Sequence, residues 1–183
     1  KEFIIDNLKT IFFALIIALV IRSILFQPFY IPSSSMEPNL LIGDRLFVNK
    51  FSYGYSKHSF PFSPPFYNKR FFKKTPERGD VIVFKTPADN RTDYIKRLIG
   101  LPGDKIQFID GDLFINNSKI IRKQIHIDTR IFCGEHEPNI KAFEETLPNG
   151  IKYVAVYHLN GGYKKSDEFT VPEEHYFFLG DNR

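Results

Sequence analysis

The sequence predicts a mainly β chain behind one apolar N-terminal helix. Three observations carry this expectation: an uncharged run from Thr10 to Ile21, a change after Pro38 to short alternating segments, and an Asp110-Gly111 turn signal between two of those segments. No further long helix, repeat or low-complexity tract is expected.

The chain has 183 residues, which suits one domain, or one domain plus an anchor. The apolar run extends from Leu8 to Phe26 past Lys9 and Arg22. A bilayer core of about 30 Å needs roughly 20 helical residues, so this stretch spans one if Lys9 and Arg22 snorkel toward opposite interfaces. It is apolar on every face, unlike a core helix, and bulky Phe26-Gln27-Pro28-Phe29-Tyr30 follows rather than a small-x-small cleavage site. A membrane anchor is therefore expected over residues 1–27, with its helix at about 8–26, and a β-rich domain over 28–183. Basic residues flank both ends of the helix and do not set its orientation. Residue 1 is Lys, and the chain stops at Arg183 just after the strand-like run Tyr176–Leu179, so trimming at both ends is expected.

Asp44–Phe51 reads as the first strand, and Ser52–Lys74 as a loop crowded with Tyr and Phe and broken by Pro61, Pro64 and Pro65. Gly79–Lys85 and Tyr94–Gly100 are strands separated by a polar turn, Thr86–Thr92. Alternation puts Tyr94, Lys96 and Leu98 on one face and Ile95, Arg97 and Ile99 on the other, giving Lys96 apolar company. Lys105–Ile109 and Asp112–Ile115 flank Asp110-Gly111, the favoured type I′ hairpin signal. Turns are expected at Asn116-Asn117, Asn149-Gly150 and Gly161-Gly162, and a last strand at Glu174–Leu179; residues 122–170 are less regular.

The formal net charge of +4 is small and dispersed, without the basic stripe and interleaved aromatics of a nucleic-acid binder, so no nucleic acid is expected. The single cysteine, Cys133, cannot form an internal disulfide and reads as a loop residue; with Glu135 and His136 it lacks a second ligand pair at metal-site spacing. No metal or cofactor is expected. His58, His126, His136, His158 and His175 occupy no recognisable catalytic setting, and Glu144-Glu145 and Glu173-Glu174 read as solvated pairs.

One short stretch remains. Ile31-Pro32-Ser33-Ser34-Ser35-Met36-Glu37-Pro38 sets three serines between prolines, which should hold the segment extended and stiff. A serine hydroxyl on such a mount becomes a nucleophile only beside a base. A lysine is about 1 in 2,500 neutral at pH 7, so it serves as that base only where burial penalises its charge. Read from the residues alone, Ser35 is equally a turn residue and Lys96 an edge-strand solubility residue.

Ser33-Ser34-Ser35-Met36-x-Pro38 followed by Gly43-Asp44 resembles the nucleophile box of type I signal peptidases. Arg78–Phe84 with Asp93–Asp104 resembles their lysine box, and Gly180-Asp181-Asn182-Arg183 the start of their last box. The boxes stand in the family's order and span nearly the whole chain. The resemblance implies a signal-peptidase-like antiparallel β domain with a Ser–Lys dyad behind a transmembrane helix. It implies Ser35 as nucleophile, Lys96 as general base, and Ser33 as oxyanion donor together with the Ser35 N–H. It further implies a substrate groove of small-residue pockets. Phe29, Ile31, Pro32, Met36, Leu40, Tyr94 and Ile95 match the pocket nearer the cut, and Leu46 and Val83 match the second. Implied partners are preprotein signal peptides of Ala-x-Ala type, membrane lipid and, as a candidate, the export translocon; no cofactor is implied. The implied location is the bacterial plasma (inner) membrane, single- or multi-pass, with the catalytic domain on the extracytoplasmic side. Ser34 departs from the family's frequent glycine. The polar residues that follow the last box in the family, one of which bonds the lysine, lie beyond Arg183, so this piece alone is expected to be inactive or poorly folded. A soluble self-cleaving repressor-type protease and a membrane-tethered β domain that binds exported proteins without cutting them are the competing readings.

Overall fold

A computed structural model of the chain describes residues 2–60, 69–127, 140–159 and 164–183. The expectations about Pro61, Pro64, Pro65, Cys133, His136 and Gly161-Gly162 fall outside these residues. The described residues are mainly antiparallel β behind one long helix, as expected, and group into two compact units.

The first unit comprises the chain up to Tyr30 and Arg45–Thr75. Helix α1 (Glu2–Ile24) has 23 residues, roughly 35 Å at about 1.5 Å per residue. Its side chains are exposed all round, and Phe3–Ile24 is long and apolar enough to cross a bilayer by length and composition. It starts ahead of the apolar run because Asp6 supports the first turns, accepting from Lys9 Nζ at 3.5 Å while its carbonyl receives the Thr10 hydroxyl. It ends two residues sooner because Phe26 already belongs to strand β1 (Phe26–Tyr30), which the sequence reading did not anticipate. Strand β1 pairs antiparallel with β2 (Arg45–Asn49), setting Phe29 opposite Leu46. Further along, Tyr55 bridges Phe71 and donates its hydroxyl to the Ile24 carbonyl at 2.8 Å.

The second unit comprises Ile31–Asp44 and Pro76–Arg183. The expected strands β3 (Val81–Lys85) and β4 (Asp93–Gly100) pair antiparallel, and β12 (Phe177–Leu179) closes the sheet on the other side of β4. The last strand is shorter than expected because Glu174 takes a positive φ of 61°. Strands β5 (Lys105–Ile109) and β6 (Asp112–Ile115) meet at Asp110-Gly111, whose φ angles of 50° and 80° are those a type I′ turn demands. Asn116 and Asn117, at 52° and 63°, repeat the device into β7 (Ser118–Lys119), and β11 (Phe169–Thr170) joins the far edge of β5. A third sheet runs β10 (Lys152–His158), β9 (Ile140–Thr146), β8 (Ile121–Ile125), with Gly150 at φ 85° in the expected Asn149-Gly150 turn. Ile99, Ile106, Leu113, Ile115, Leu147 and Val171 form the buried apolar centre that the sheets share.

The serine stretch departs from the extended form. Ser33 is extended, but Ser34–Met36 is a 3-10 turn closed by the Glu37 N–H on the Ser34 carbonyl at 3.0 Å. A proline restricts itself and the residue before it, so Pro32 and Pro38 leave the three central residues free to turn.

Glu145 is not solvated. It is 1% exposed and accepts from Tyr153 Oη at 2.6 Å, from the Tyr157 hydroxyl and from Arg183 Nη1 at 2.9 Å. Arg183 also donates to Tyr153 Oη at 2.7 Å, and burial beside the carboxylate pushes the Tyr157 phenol up to about 12. The pair joins β9 to the end of the chain with both charges out of water. Glu145→Ala strands the Arg183 guanidinium and is expected to cost about 3–5 kcal/mol, measured as a loss of unfolding free energy in urea; a change below about 1 kcal/mol would contradict a buried pair.

Candidate active site

Strand β4 and the serine turn come into contact within the second unit. Lys96, fourth in β4, directs its amine at Ser35, and Lys96 Nζ donates a hydrogen bond to Ser35 Oγ. Ser33 Oγ lies 3.3 Å from Ser35 Oγ. Three residues that the sequence singled out, Ser33, Ser35 and Lys96, are thus brought together across 61 positions of chain.

The electrostatics around the amine oppose each other. Half-burial in the protein lowers the Lys96 pKa from its ordinary 10.5, because desolvation penalises the ammonium; the Asp181 carboxylate pulls it back up. Desolvation is the larger of the two effects. Asp181 is fully buried, and both its oxygens are engaged by Arg97: Nε to Oδ1 at 2.8 Å and Nη2 to Oδ2 at 2.7 Å. Asn39 Nδ2 adds a bond to Oδ2 at 2.7 Å while also reaching the Val154 carbonyl. Arg97 itself donates to the Gly79 carbonyl at 2.8 Å and lies 4.3 Å from the Tyr153 ring. A forked guanidinium bound in this way pairs the Asp181 carboxylate through both its oxygens. Alternation along β4 makes the division possible, with Lys96 directed to Ser35 and its neighbour Arg97 to Asp181.

The tetrapeptide Gly180–Arg183 fastens the serine turn from below. A Cβ built on Gly180 would lie 2.3 Å from the Ser35 carbonyl oxygen, so the turn approaches closer than any side chain there permits. Asn182 donates its N–H to the Ser35 carbonyl at 3.2 Å and its Nδ2 to the Ser34 carbonyl at 3.1 Å. Ile31 N–H bonds the Asp44 carbonyl at 2.9 Å, and Gly43 N–H returns to Ile31.

The other residues expected in the groove divide into groups. Ile31 and Met36 are buried, Leu40 half-buried and Pro32 exposed beside the serine turn. Tyr94 shares the Lys96 face, its ring 5.8 Å from Nζ, whereas Ile95 and its cross-strand partner Val83 take the opposite face. Phe29 and Leu46 face one another in the β1–β2 sheet of the first unit. Asn39 escaped the sequence reading because its partners stand 115 and 142 residues away and nothing local marks it. Asp181 and Asn182 sat inside the quoted Gly-Asp-Asn-Arg run, but no spacing rule told which serine-turn atoms they would meet. The described residues contain no cluster of three or more His, Cys, Asp or Glu that could hold a metal.

Residues 4–183 match the family model described as signal peptidase, peptidase S26. The chain is 44% identical over 185 residues to signal peptidase I of Rickettsia bellii (strain OSU 85-389), covering 96% of this chain and 62% of that protein. It is 45% identical over 181 residues to signal peptidase I of Rickettsia typhi, covering 93% and 67%. The chain therefore spans a little under two thirds of the length of the first of these curated relatives. A crystal structure of a signal peptidase I from Enterococcus faecalis V583 is similar at 30% identity, covering 60% of this chain and 80% of that one, but its TM-score of 0.31 is too low to bear on the fold. With the family model matched over almost every residue, the chain belongs to the signal peptidase (peptidase S26) family.

Proposed function

We propose that this chain is part of a membrane-bound serine endopeptidase. It removes signal peptides from exported preproteins after small residues of the Ala-x-Ala kind. The observation that carries the reading is the hydrogen bond between Lys96 Nζ and Ser35 Oγ inside a matched peptidase family. Neutral Lys96 takes the Ser35 hydroxyl proton as Oγ attacks the scissile carbonyl carbon. The negative charge that develops on the carbonyl oxygen meets the Ser35 N–H and the Ser33 hydroxyl. Collapse breaks the C–N bond, the Lys96 ammonium gives its proton to the departing amine, and the signal peptide stays as an ester on Ser35. Lys96 then deprotonates a water that hydrolyses the ester and regenerates the serine. Arg97 and Asn39 act on this sequence by holding Asp181, so the lysine stays neutral enough to serve as base.

Ile31, Pro32, Met36, Leu40 and Tyr94, all in the second unit, are assigned to the pocket nearer the cut. Their bulk would exclude large side chains. Helix α1 is the anchor, over residues 1–27, and residues 28–183 the catalytic part, on the extracytoplasmic side of the bacterial inner membrane. Membrane lipid and the translocon would be its neighbours there. Support for a lipid-facing first unit comes from Phe71 and Phe72, 56% and 84% exposed, between Lys69-Arg70 and Lys73-Lys74. Tyr55 ties this turn to the C-terminal end of α1. Aromatics ringed by cations suit the headgroup region of an anionic bilayer.

Ser35→Ala and Lys96→Ala in the full-length protein should each lower cleavage of an Ala-x-Ala preprotein by on the order of 10⁴-fold or more. Substantial cleavage by either variant refutes the dyad. Because Lys96 acts unprotonated and its pKa lies below 10.5, kcat/KM should rise with pH along one limb whose midpoint falls below 10.5, and Lys96→Arg should show no such limb. The chain contains no tryptophan, so Phe72→Trp provides a single reporter. In vesicles containing anionic lipid its emission should shift to shorter wavelength and be quenched by brominated acyl chains; emission typical of water in both respects would remove Phe72 from the interface.

A further inference from the structure

We propose that Asn182 is the positioning residue that aims the Ser35 N–H, and that His158 holds Asn182 in the orientation this requires; the proposal rests on the Ser35–Lys96 reading above. A trans peptide is planar, so the carbonyl of one residue and the N–H of the next point in opposite directions as one rigid unit. Whatever pins the Ser34 carbonyl therefore sets the direction of the Ser35 N–H, the proposed oxyanion donor. Two donors pin it: the Glu37 N–H at 3.0 Å and Asn182 Nδ2 at 3.1 Å. The Asn182 N–H takes the next carbonyl, that of Ser35, at 3.2 Å. One residue thus grips the peptide planes on both sides of the Ser35 Cα.

The orientation of the Asn182 amide follows from valence. A carbonyl oxygen only accepts, so the end facing Ser34 is the NH₂ group and the other end is Oδ1. That oxygen lies 2.9 Å from His158 Nε2, and since Oδ1 also only accepts, Nε2 carries the hydrogen. The neutral Nε2–H tautomer and the imidazolium both meet this demand, so protonation of His158 leaves the support intact. The backbone secures the same contact. His158 ends β10 and donates its N–H to the Arg183 carbonyl at 2.8 Å, Val156 N–H bonds the Asp181 carbonyl, and Arg183 N–H returns to Val156. His158 thus becomes a support two steps behind the nucleophile, reached through Asn182 and the Ser34–Ser35 peptide.

Four variants of the full-length protein in detergent test this with an Ala-x-Ala peptide: Asn182→Asp, His158→Leu, His158→Gln and Ser35→Ala. Asn182→Asp keeps the shape but replaces the donor to Ser34 with an acceptor. It should lower kcat by about 10²-fold, since an oxyanion donor acts in the transition state, with KM within about twofold of the parent. His158→Leu should lower kcat about tenfold, whereas Gln, whose amide still donates, should restore it and reproduce the parent pH–rate profile. The proposal is overturned by a kcat within about twofold of the parent in both Asn182→Asp and His158→Leu, or by an effect carried equally by KM. Should Asn182→Asp not fold, equal kcat values for His158→Leu and His158→Gln overturn it on their own. Residual activity in Ser35→Ala would instead remove the dyad reading, so the two failures are distinguishable.

Discussion

A lysine amine accepts a proton near neutral pH only where its surroundings penalise the ammonium more than nearby carboxylates reward it. Lys96 meets that condition by a narrow arrangement. The strand that carries it removes water from part of its amine, while the one carboxylate acting on it, Asp181, has both oxygens bound by Arg97. The guanidinium that binds Asp181 comes from the very next residue. Adjacent side chains of a strand point to opposite faces, so a Lys-Arg dipeptide delivers an amine to the hydroxyl and a guanidinium to the carboxylate without moving the backbone.

The Gly180–Arg183 segment connects this electrostatic arrangement to Ser35. Gly180 lets the chain come against the Ser35 carbonyl, Asp181 binds Arg97 and Asn39, Asn182 bonds Ser34 and Ser35, and Arg183 enters the buried cluster with Glu145. Between them the four residues engage β4, β9, β10 and the serine turn, which therefore share one fastening. The Glu145–Arg183 pair lies in the same unit as Ser35 and Lys96, and its desolvation cost is offset by hydrogen bonds from two tyrosines rather than by exposure. Order at the site accordingly depends on contacts spanning more than a hundred residues of chain.

Local chemistry was legible in the sequence and long-range chemistry was not. The hairpins at Asp110-Gly111 and Asn149-Gly150 could be read because a turn that needs positive φ selects Asn, Asp or Gly by itself. The common face of Tyr94, Lys96 and Leu98 follows from period-two alternation. Strands β8, β9 and β10 did not show because charged residues interrupt β8 and β9, and β10 carries Tyr and His at positions that turn out buried or half-buried. Glu145 was misread for a related reason: an acidic pair in an edge-like run resembles a solvated one until its tyrosine and arginine partners are known. Strand β1 was hidden behind the apolar helix, whose composition runs on past its last helical residue. The serine turn was taken for an extended mount because prolines at its ends were given influence over residues they do not restrict.

Partial exposure of Lys96 bears on when the proposed base becomes effective. Lys96 is only partly buried, and the hydration its side chain keeps limits how far desolvation alone can lower its affinity for a proton. A peptide laid across Ser35 would cover the exposed part, removing water while adding no carboxylate of its own when the bound residues are small and apolar. The ammonium then loses hydration, and the neutral fraction rises as the scissile carbonyl arrives. An acidic residue at the same place would act in the opposite sense, restoring with its own charge what desolvation removed. Under the proposed mechanism, a preference for small uncharged residues before the cut therefore serves two physical ends. It satisfies the shape of the pockets, and it leaves the lysine in the protonation state that the first step requires.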